Sequence, residues 1–317
     1  RHLGTMSSRW IIRCLAGAVM AILVLGAGLQ AWNSRGGPVP PPRPGTLRIA
    51  TMNIHYIALA ASDDDRWSAA GWQRRRGAAA EVLGRLDADL IAFQEMESFR
   101  HGSDGSVNLA RDDLLAAMPD FAAAASGDWR NFPSTQPIFY RKDRLRPEEQ
   151  GWFFFSDTPE VIYSRSFDGS WPAFASWARF TDLETGQSLR LVNVHFDFRS
   201  GQNRLRSARL VASRIAPWLA AGEHVVVAGD LNAMAGSATA DILRGAGLSL
   251  TPVRGSSFHF GRGLNLFGAI DHVLYDCDSV LTDRPVALRD NPGGRWPSDH
   301  YPVLAQIRLG GGICDQP

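Results

Sequence analysis

Six apolar runs along this chain each meet an Asn, Glu, His or Asp at one end, and that recurrence limits what the chain can fold into. The sharpest case is Val225-Val226-Val227-Ala228-Gly229-Asp230-Leu231-Asn232. Three β-branched residues in a row read as a buried strand. Gly229 reads as the point where the backbone turns and the strand ends. Asp230 and Asn232 then project on one side, because alternate residues share a face. The acid can take a proton or hold a cation, and the amide can donate to an anionic oxygen without adding charge. Taken alone, the stretch is equally an Asx-rich turn after a strand.

The other runs repeat the pattern. Leu47 to Ile54 is a β-rich strand with Asn53 near its end, and Asp89 to Phe93 runs into Gln94-Glu95. His195 and Asp197 close Leu-Val-Asn-Val-His-Phe-Asp-Phe, Asp271 and His272 interrupt Ala-Ile-Asp-His-Val-Leu-Tyr, and Asp299 and His300 precede Tyr-Pro-Val-Leu. One polar residue at a strand end is commonplace. Six such ends need partners for their charges, and they imply one acidic pocket with histidines. Further strands are expected at 137–141, 151–155, 176–182, 188–196, 280–287 and 301–309, with helices over 71–86, 108–118 and 203–220. Strands outnumber helices and several are consecutive, as in two packed sheets with helices outside. The aromatic run Trp152 to Phe155 reads as a buried strand. His55, His101, His224 and His259 read as satisfied structural histidines, and Arg204 and Arg206 as the solvated face of a helix.

The N-terminus is a different kind of segment. Arg9 and Arg13 precede an uninterrupted apolar run of 16 residues, Cys14 to Leu29. A positive flank before an apolar core is the layout of an export signal or a signal anchor. A spanning helix needs about 20 residues, which Trp10–Ile12 and Gln30–Trp32 supply. Leu29 suits a cleavage site ending at Ala31 poorly, so an uncleaved anchor with an exported catalytic domain is the preferred reading. The alternative is a periplasmic or secreted domain after cleavage. The chain divides into a signal anchor or signal peptide (1–32), a Pro/Gly-rich extended linker (33–45), a catalytic domain (46–310) and a tail (311–317). Cys277 and Cys314 can pair if the domain is exported, whereas three cysteines argue against a disulfide framework or a zinc–cysteine site. The net charge of +1 provides no basic field for binding long nucleic acid nonspecifically.

The ordered set Thr-Met-Asn53-Ile, Phe-Gln-Glu95-Met, Asn-Val-His195-Phe, Gly-Asp230-Leu-Asn232, Ile-Asp271-His and Ser-Asp299-His300-Tyr-Pro resembles the endonuclease/exonuclease/phosphatase superfamily, the DNase I-like phosphodiesterases. The resemblance runs from about Leu47 to Leu309. It implies an α+β fold, a four-layer α/β sandwich of two mostly antiparallel sheets flanked by helices. It also implies Mg²⁺, or Mn²⁺, held by Glu95 with Asn53 beside it and Asp299 close by. By the same resemblance Asp230 orients or deprotonates the attacking water, Asn232 and His195 contact the phosphate, and His300 acts with Asp271. The position four residues before Trp177, an arginine in many bacterial relatives, is Ala173 here, which leaves the substrate open. The implied protein is a monomeric, metal-dependent phosphoesterase acting on nucleic acid or a phospholipid headgroup. The alternative is a tethered binding module of the same fold without catalysis.

Overall fold

The computed structural model describes residues 8–100 and 106–314; His101 lies outside them, as do the ends of the N-terminal segment and of the tail. Chain order is α1 (Ser8–Asn33), β1 (Leu47–Asn53), β2 (Ile57–Ala58), α2 (Ala69–Leu86), β3 (Leu90–Gln94), β4 (Ser98–Phe99), α3 (Leu109–Ala117), β5 (Phe121–Ala124), β6 (Ile138–Arg141) and β7 (Leu145–Phe154). There follow β8 (Phe174–Asp182), β9 (Ser188–His195), α4 (Gly201–Ala220), β10 (His224–Asp230), α5 (Ala238–Gly245), β11 (Leu248–Ser249), β12 (Asp271–Asp276), β13 (Val280–Ala287) and β14 (Val303–Arg308).

Two sheets of six strands, ordered β13-β14-β1-β3-β6-β5 and β11-β12-β10-β9-β8-β7, form the body. Each is antiparallel except at one central pair: β1 with β3, and β9 with β10. Three apolar clusters separate four layers. One joins the inner faces of the sheets through residues such as Ile49, Leu90, Leu191 and Val226. A second packs α4 and α5 on the outer face of one sheet through Val211, Ile215, Val227 and Leu243. The third packs α2 and α3 on the other through Leu83, Leu86, Leu114 and Phe93. Here the expected α+β sandwich is the observed architecture. Its helices start where a side chain caps them: Ser68, Asn108, Ser200 and Ser237 each accept a hydrogen bond from a first-turn N–H.

The strand expected to end at Gly229 runs on through Asp230, which pairs with His195 on one side and Asp271 on the other. Gly229 is required for a different reason. Its φ is 151°, and a Cβ there would lie 1.9 Å from the Val194 carbonyl oxygen. The glycine lets two parallel strands approach at the point where they present their functional residues. Phe153, Phe154 and Phe155 are buried, as expected of a strand. Cys277 and Cys314 are joined in a disulfide with Cα atoms 4.9 Å apart, tying the β12–β13 turn to the chain beyond β14.

Residues 34–45 form no helix or strand, and they lie along the domain beside β13. Gly36 abuts Arg289, Gly37 meets Val286, and the Arg43 guanidinium makes two hydrogen bonds to Asp283 at 2.7 and 2.8 Å. The Pro40 carbonyl accepts from Arg48 at 2.8 Å. The segment runs from the end of α1 to the start of β1 as a brace on the sandwich.

Candidate active site

The parallel pairs β1/β3 and β9/β10 each end at the same edge of the sandwich, and register brings their last residues together. Asn53 pairs with Gln94, so Glu95 is the next residue out, and Asp230 stands between His195 and Asp271. Asp299 and His300 arrive on the segment entering β14. The sheets meet here through Asn53, whose amide Nδ2 donates to Glu95 Oε1 at 2.9 Å and lies 3.3 Å from Asp230 Oδ2. Asn53, His195, Asp230, Asp271 and His300 are all buried.

Asp230 is the hub. Its Oδ1 accepts the Asn232 backbone N–H at 2.8 Å, and its Oδ2 lies 3.7 Å from His195 Nε2 and 3.8 Å from His300 Nε2. Burial and the neighbouring Asp271 push its carboxyl up to about 8, against the pull of His300, the Asn232 N–H and the Asn53 amide. His300 Nδ1 is 2.9 Å from Asp271 Oδ2. This contact assigns the proton to Nδ1 and aims Nε2 at Asp230. Burial alone would discharge the His300 ring, but Asp271 and Asp230 hold its pKa well above the usual histidine value. His195 differs: burial lowers its pKa despite Glu95, and its ring packs on Trp171. Burial raises Glu95, but the rings of His55 and His195 and the Asn53 amide outweigh it and leave the carboxyl below its ordinary value. Asn232 spends one amide hydrogen on the Phe196 carbonyl at 2.8 Å, leaving a second to offer.

Among the described residues, two groups of acidic side chains could hold a cation. Asp230, Asp271 and His300 place one ligand atom each within 4.8 Å of one another. That group is sealed, and its imidazole is already bonded to Asp271, so a cation there would displace the proton that the pair holds. Glu95 and Asp299 retain 21% and 17% of their side-chain exposure at the mouth, with Asn53 beside Glu95. The two carboxylates, with no thiol nearby, fit a hard cation such as Mg²⁺ or Mn²⁺, and Asn53, whose Oδ1 accepts the His55 N–H at 3.0 Å, would complete the set by turning its amide.

Some residues that matter here carried no strong sequence sign. His55 stacks on Trp67 with centroids 3.7 Å apart, and its Nε2 is 3.9 Å from Asp299 Oδ2. It reads in sequence as a structural histidine, and it lies two residues past the end of β1 with φ of 59°. Arg75 is buried and donates to the carbonyls of Ile54, His55 and Pro297. It thereby clamps the exit of β1 to the segment before Asp299. Beneath the site, Gln94 Nε2 donates to Asn193 Oδ1 at 2.7 Å and Asn193 Nδ2 to the Phe93 carbonyl at 2.7 Å, crossing between the sheets.

Other strand-end residues stand apart from this group. Asp197 accepts the N–H groups of Ser170, Arg199 and Ser200, a loop-forming role. His272 points the opposite way from Asp271, with Nε2 3.0 Å from the Ala233 carbonyl. Burial lowers His259 to about 3, and its ring stacks on Tyr301. Arg206 pairs with Asp157, and Arg204 donates to the Asp197 carbonyl, so neither reaches the site.

A family model described as the Endonuclease/Exonuclease/phosphatase family matches residues 31–300. The chain belongs to the endonuclease/exonuclease/phosphatase family. Among solved structures, an endonuclease/exonuclease/phosphatase family protein from Bacteroides thetaiotaomicron is 24% identical, with a TM-score of 0.69 over 84% of this chain and 99% of that one. A mannosyl-6-phosphatase from Bacteroides thetaiotaomicron is 25% identical, with a TM-score of 0.68 over 82% and 99%. The human Nocturnin catalytic domain, carrying a sulfate anion, shares the fold at 14% identity and a TM-score of 0.58 over 83% and 94%. No curated protein matches the chain. As a member of this family, the chain is a phosphoesterase by class, and its apolar N-terminal helix is long enough to cross a membrane.

Proposed function

We propose that this phosphoesterase is metal-dependent, exported and held at a membrane, and that it hydrolyses phosphodiester bonds by attack of an activated water. The observation that carries the reading is the geometry around Asp230. One carboxylate sits 3.8 Å from an imidazole whose other nitrogen is bonded to a second carboxylate. Hydrolysis breaks the bond from phosphorus to the leaving oxygen and forms one to the oxygen of water. In its ionised form Asp230 accepts the water's proton. His300, held charged and oriented by Asp271, donates to the phosphoryl group, His195 and Asn232 contact its oxygens, and the leaving oxygen departs as the anion and takes up a proton from solvent. Asn53, Glu95 and Asp299 hold the divalent cation. When bound, it supplies positive charge to oxygens on which negative charge develops.

The disulfide between Cys277 and Cys314 supports the exported reading, since such bonds persist in oxidising compartments. The α1 span, with Arg9 and Arg13 on its N-terminal side, supports the anchor. A binding module without catalysis is disfavoured because no member of the acid–histidine set has been replaced.

Asp230→Asn tests the reading, because the amide still accepts from the Asn232 N–H but takes no proton. Turnover of bis-p-nitrophenyl phosphate should fall by about 10²–10⁴-fold, the usual contribution of a general base, with the thermal unfolding midpoint kept. Wild-type turnover in a folded Asp230→Asn protein would remove Asp230 from the mechanism.

A further inference from the structure

The end of the anchor helix is built into the active-site wall. Gln30 Nε2 donates to the Gly263 carbonyl at 2.9 Å, and its Oε1 accepts the Asn265 N–H at 2.6 Å. Asn265 Nδ2 reaches Ser34 Oγ at 2.9 Å, and the Asn33 carbonyl accepts the Ser256 N–H at 2.8 Å. Gly255 is packed so closely that a Cβ there would meet the carbonyl oxygens of Asn33 and Arg35. The loop from Val253 to Gly268 that receives these contacts also builds the site. Ser257 Oγ accepts the Asp271 N–H at 3.0 Å, His259 N donates to the Asp299 carbonyl at 2.8 Å, and the Phe258 ring lies edge-on to His300 at 4.9 Å. One short loop therefore holds the end of α1 on one side and the catalytic segment on the other, and the brace along β13 fixes the arrangement.

The remaining side chains of this loop suit a lipid surface. Phe260, Leu264 and Leu266 are 39%, 43% and 38% exposed, and Leu264 stands between the two residues that bond Gln30. No Asp or Glu occurs from residue 242 to 270, while Arg254 and Arg262 are exposed. At the helix end, Trp32 is exposed with Arg35 over its ring at 4.2 Å. Tryptophan and arginine of this kind belong at the headgroup level. The candidate span Ile11–Asn33 has 23 residues, or about 34 Å of helix, which crosses a hydrocarbon core of about 30 Å. One bilayer face then coincides with the last turn of α1, where Gln30 grips the loop.

We infer that the loop 253–268 is a bilayer-contact surface: Phe260, Leu264 and Leu266 enter the lipid interface beside α1 and present the active-site mouth to phosphoesters of lipids in that membrane. The substrate half of this inference rests on the phosphoesterase reading above; the contact half stands without it.

The experiment uses the full chain in vesicles of phosphatidylcholine, phosphatidylethanolamine and phosphatidylglycerol. With Cys14→Ser, a fluorophore on Leu264→Cys is exposed to lipids bearing a nitroxide just below the headgroup. A second protein carries the label on Leu183→Cys, in the β8–β9 turn at the other end of the sandwich. Strong quenching at 264 and little at 183 is the expected result. Equal quenching at both, none at 264, or protection of 264 only through pairing of two copies overturns the contact. In the same vesicles the triple variant Phe260→Ser, Leu264→Ser, Leu266→Ser, with an unchanged unfolding midpoint, should lose lipid headgroup release by tenfold or more. It should keep bis-p-nitrophenyl phosphate turnover within twofold. Wild-type turnover of the soluble ester without headgroup release, or an equal loss on both substrates in the variant, overturns the lipid assignment. If the wild type turns over neither substrate, the phosphoesterase reading and the lipid assignment fail together, and the quenching result still decides the contact.

Discussion

His55, Glu95 and Asn232 hold left-handed backbone, with φ of 59°, 52° and 46°, although none is glycine. Each such residue costs on the order of 1 kcal/mol or more, and all three lie at the mouth of one pocket. The strain aims side chains that an unstrained strand end would send elsewhere. Glu95 leaves β3 with its carboxylate against Asn53, and Asn232 turns back to bond Asp230 through its backbone. The candidate site residues readable in sequence were those at an end of a β-rich run: Asn53, Glu95, His195, Asp230, Asn232, Asp271, Asp299 and His300. His55 was hidden because it lies beyond its strand in a turn. Arg75 was hidden in Arg74-Arg75-Arg76, where nothing in sequence distinguishes the buried member. Away from the site, His224 faces Asp276 at 3.4 Å, which raises its pKa first through the hydrogen bond, against partial desolvation. A raised histidine pKa stabilises the fold fully below the unfolded value of about 6.5 and loses that contribution as pH rises through the folded value. The pair is partly exposed, so the effect is below about 1 kcal/mol. Chemical denaturation of wild type and His224→Gln across this range should show the gap between them narrowing as pH rises; a gap that widens contradicts the pairing.

At the scale of elements, the central strands were the easiest to locate. β1, β3, β9, β10 and β12 carry β-rich apolar runs that only a buried strand explains, and their observed bounds fall within one or two residues of the expected ones. β5 was missed because three of its four residues are alanine, which is depleted in strands; pairing with β6 makes it one. The end of β10 was misplaced because a glycine signals a turn and a close strand approach equally well. Gly229→Ala separates these meanings. In a turn, alanine costs about 1 kcal/mol. Against the Val194 carbonyl, where the added Cβ has no room, it should cost about 3 kcal/mol or more, among the larger effects of single substitutions. Equilibrium unfolding of the variant measures the difference, and a loss near 1 kcal/mol would mean that β9 and β10 separate without penalty.

At the scale of the whole molecule, the sandwich was legible from strand count and order, and the placing of α1 was not. A Pro/Gly-rich segment reads as an extended tether because its backbone forms neither helix nor strand. Its contacts with Arg289, Val286 and Asp283 come from residues more than two hundred positions away, which no local pattern encodes. The disulfide is similar: sequence allowed it, and only the fold brings residues 277 and 314, 37 apart, within bonding distance. Closing a loop of that length removes unfolded-state entropy worth roughly 4 kcal/mol in the chain-entropy picture. Reduction, or Cys277→Ser with Cys314→Ser, should lower unfolding stability by an amount up to that value. No change would mean that the bond does not form in the protein.

The central claim is that Asn53, Glu95 and Asp299 hold a divalent cation that the Asp230–His300–Asp271 group needs for phosphoester hydrolysis. The most direct measurement is turnover of bis-p-nitrophenyl phosphate by the full chain after EDTA treatment, then with Mg²⁺ or Mn²⁺ titrated back, for wild type and Glu95→Gln. Turnover should vanish with EDTA and return with either metal, and Glu95→Gln should need at least about tenfold more metal for half-maximal activity, a loss of roughly 1.4 kcal/mol in binding. Turnover that survives EDTA, or a Glu95→Gln titration that overlays the wild type, would contradict the account.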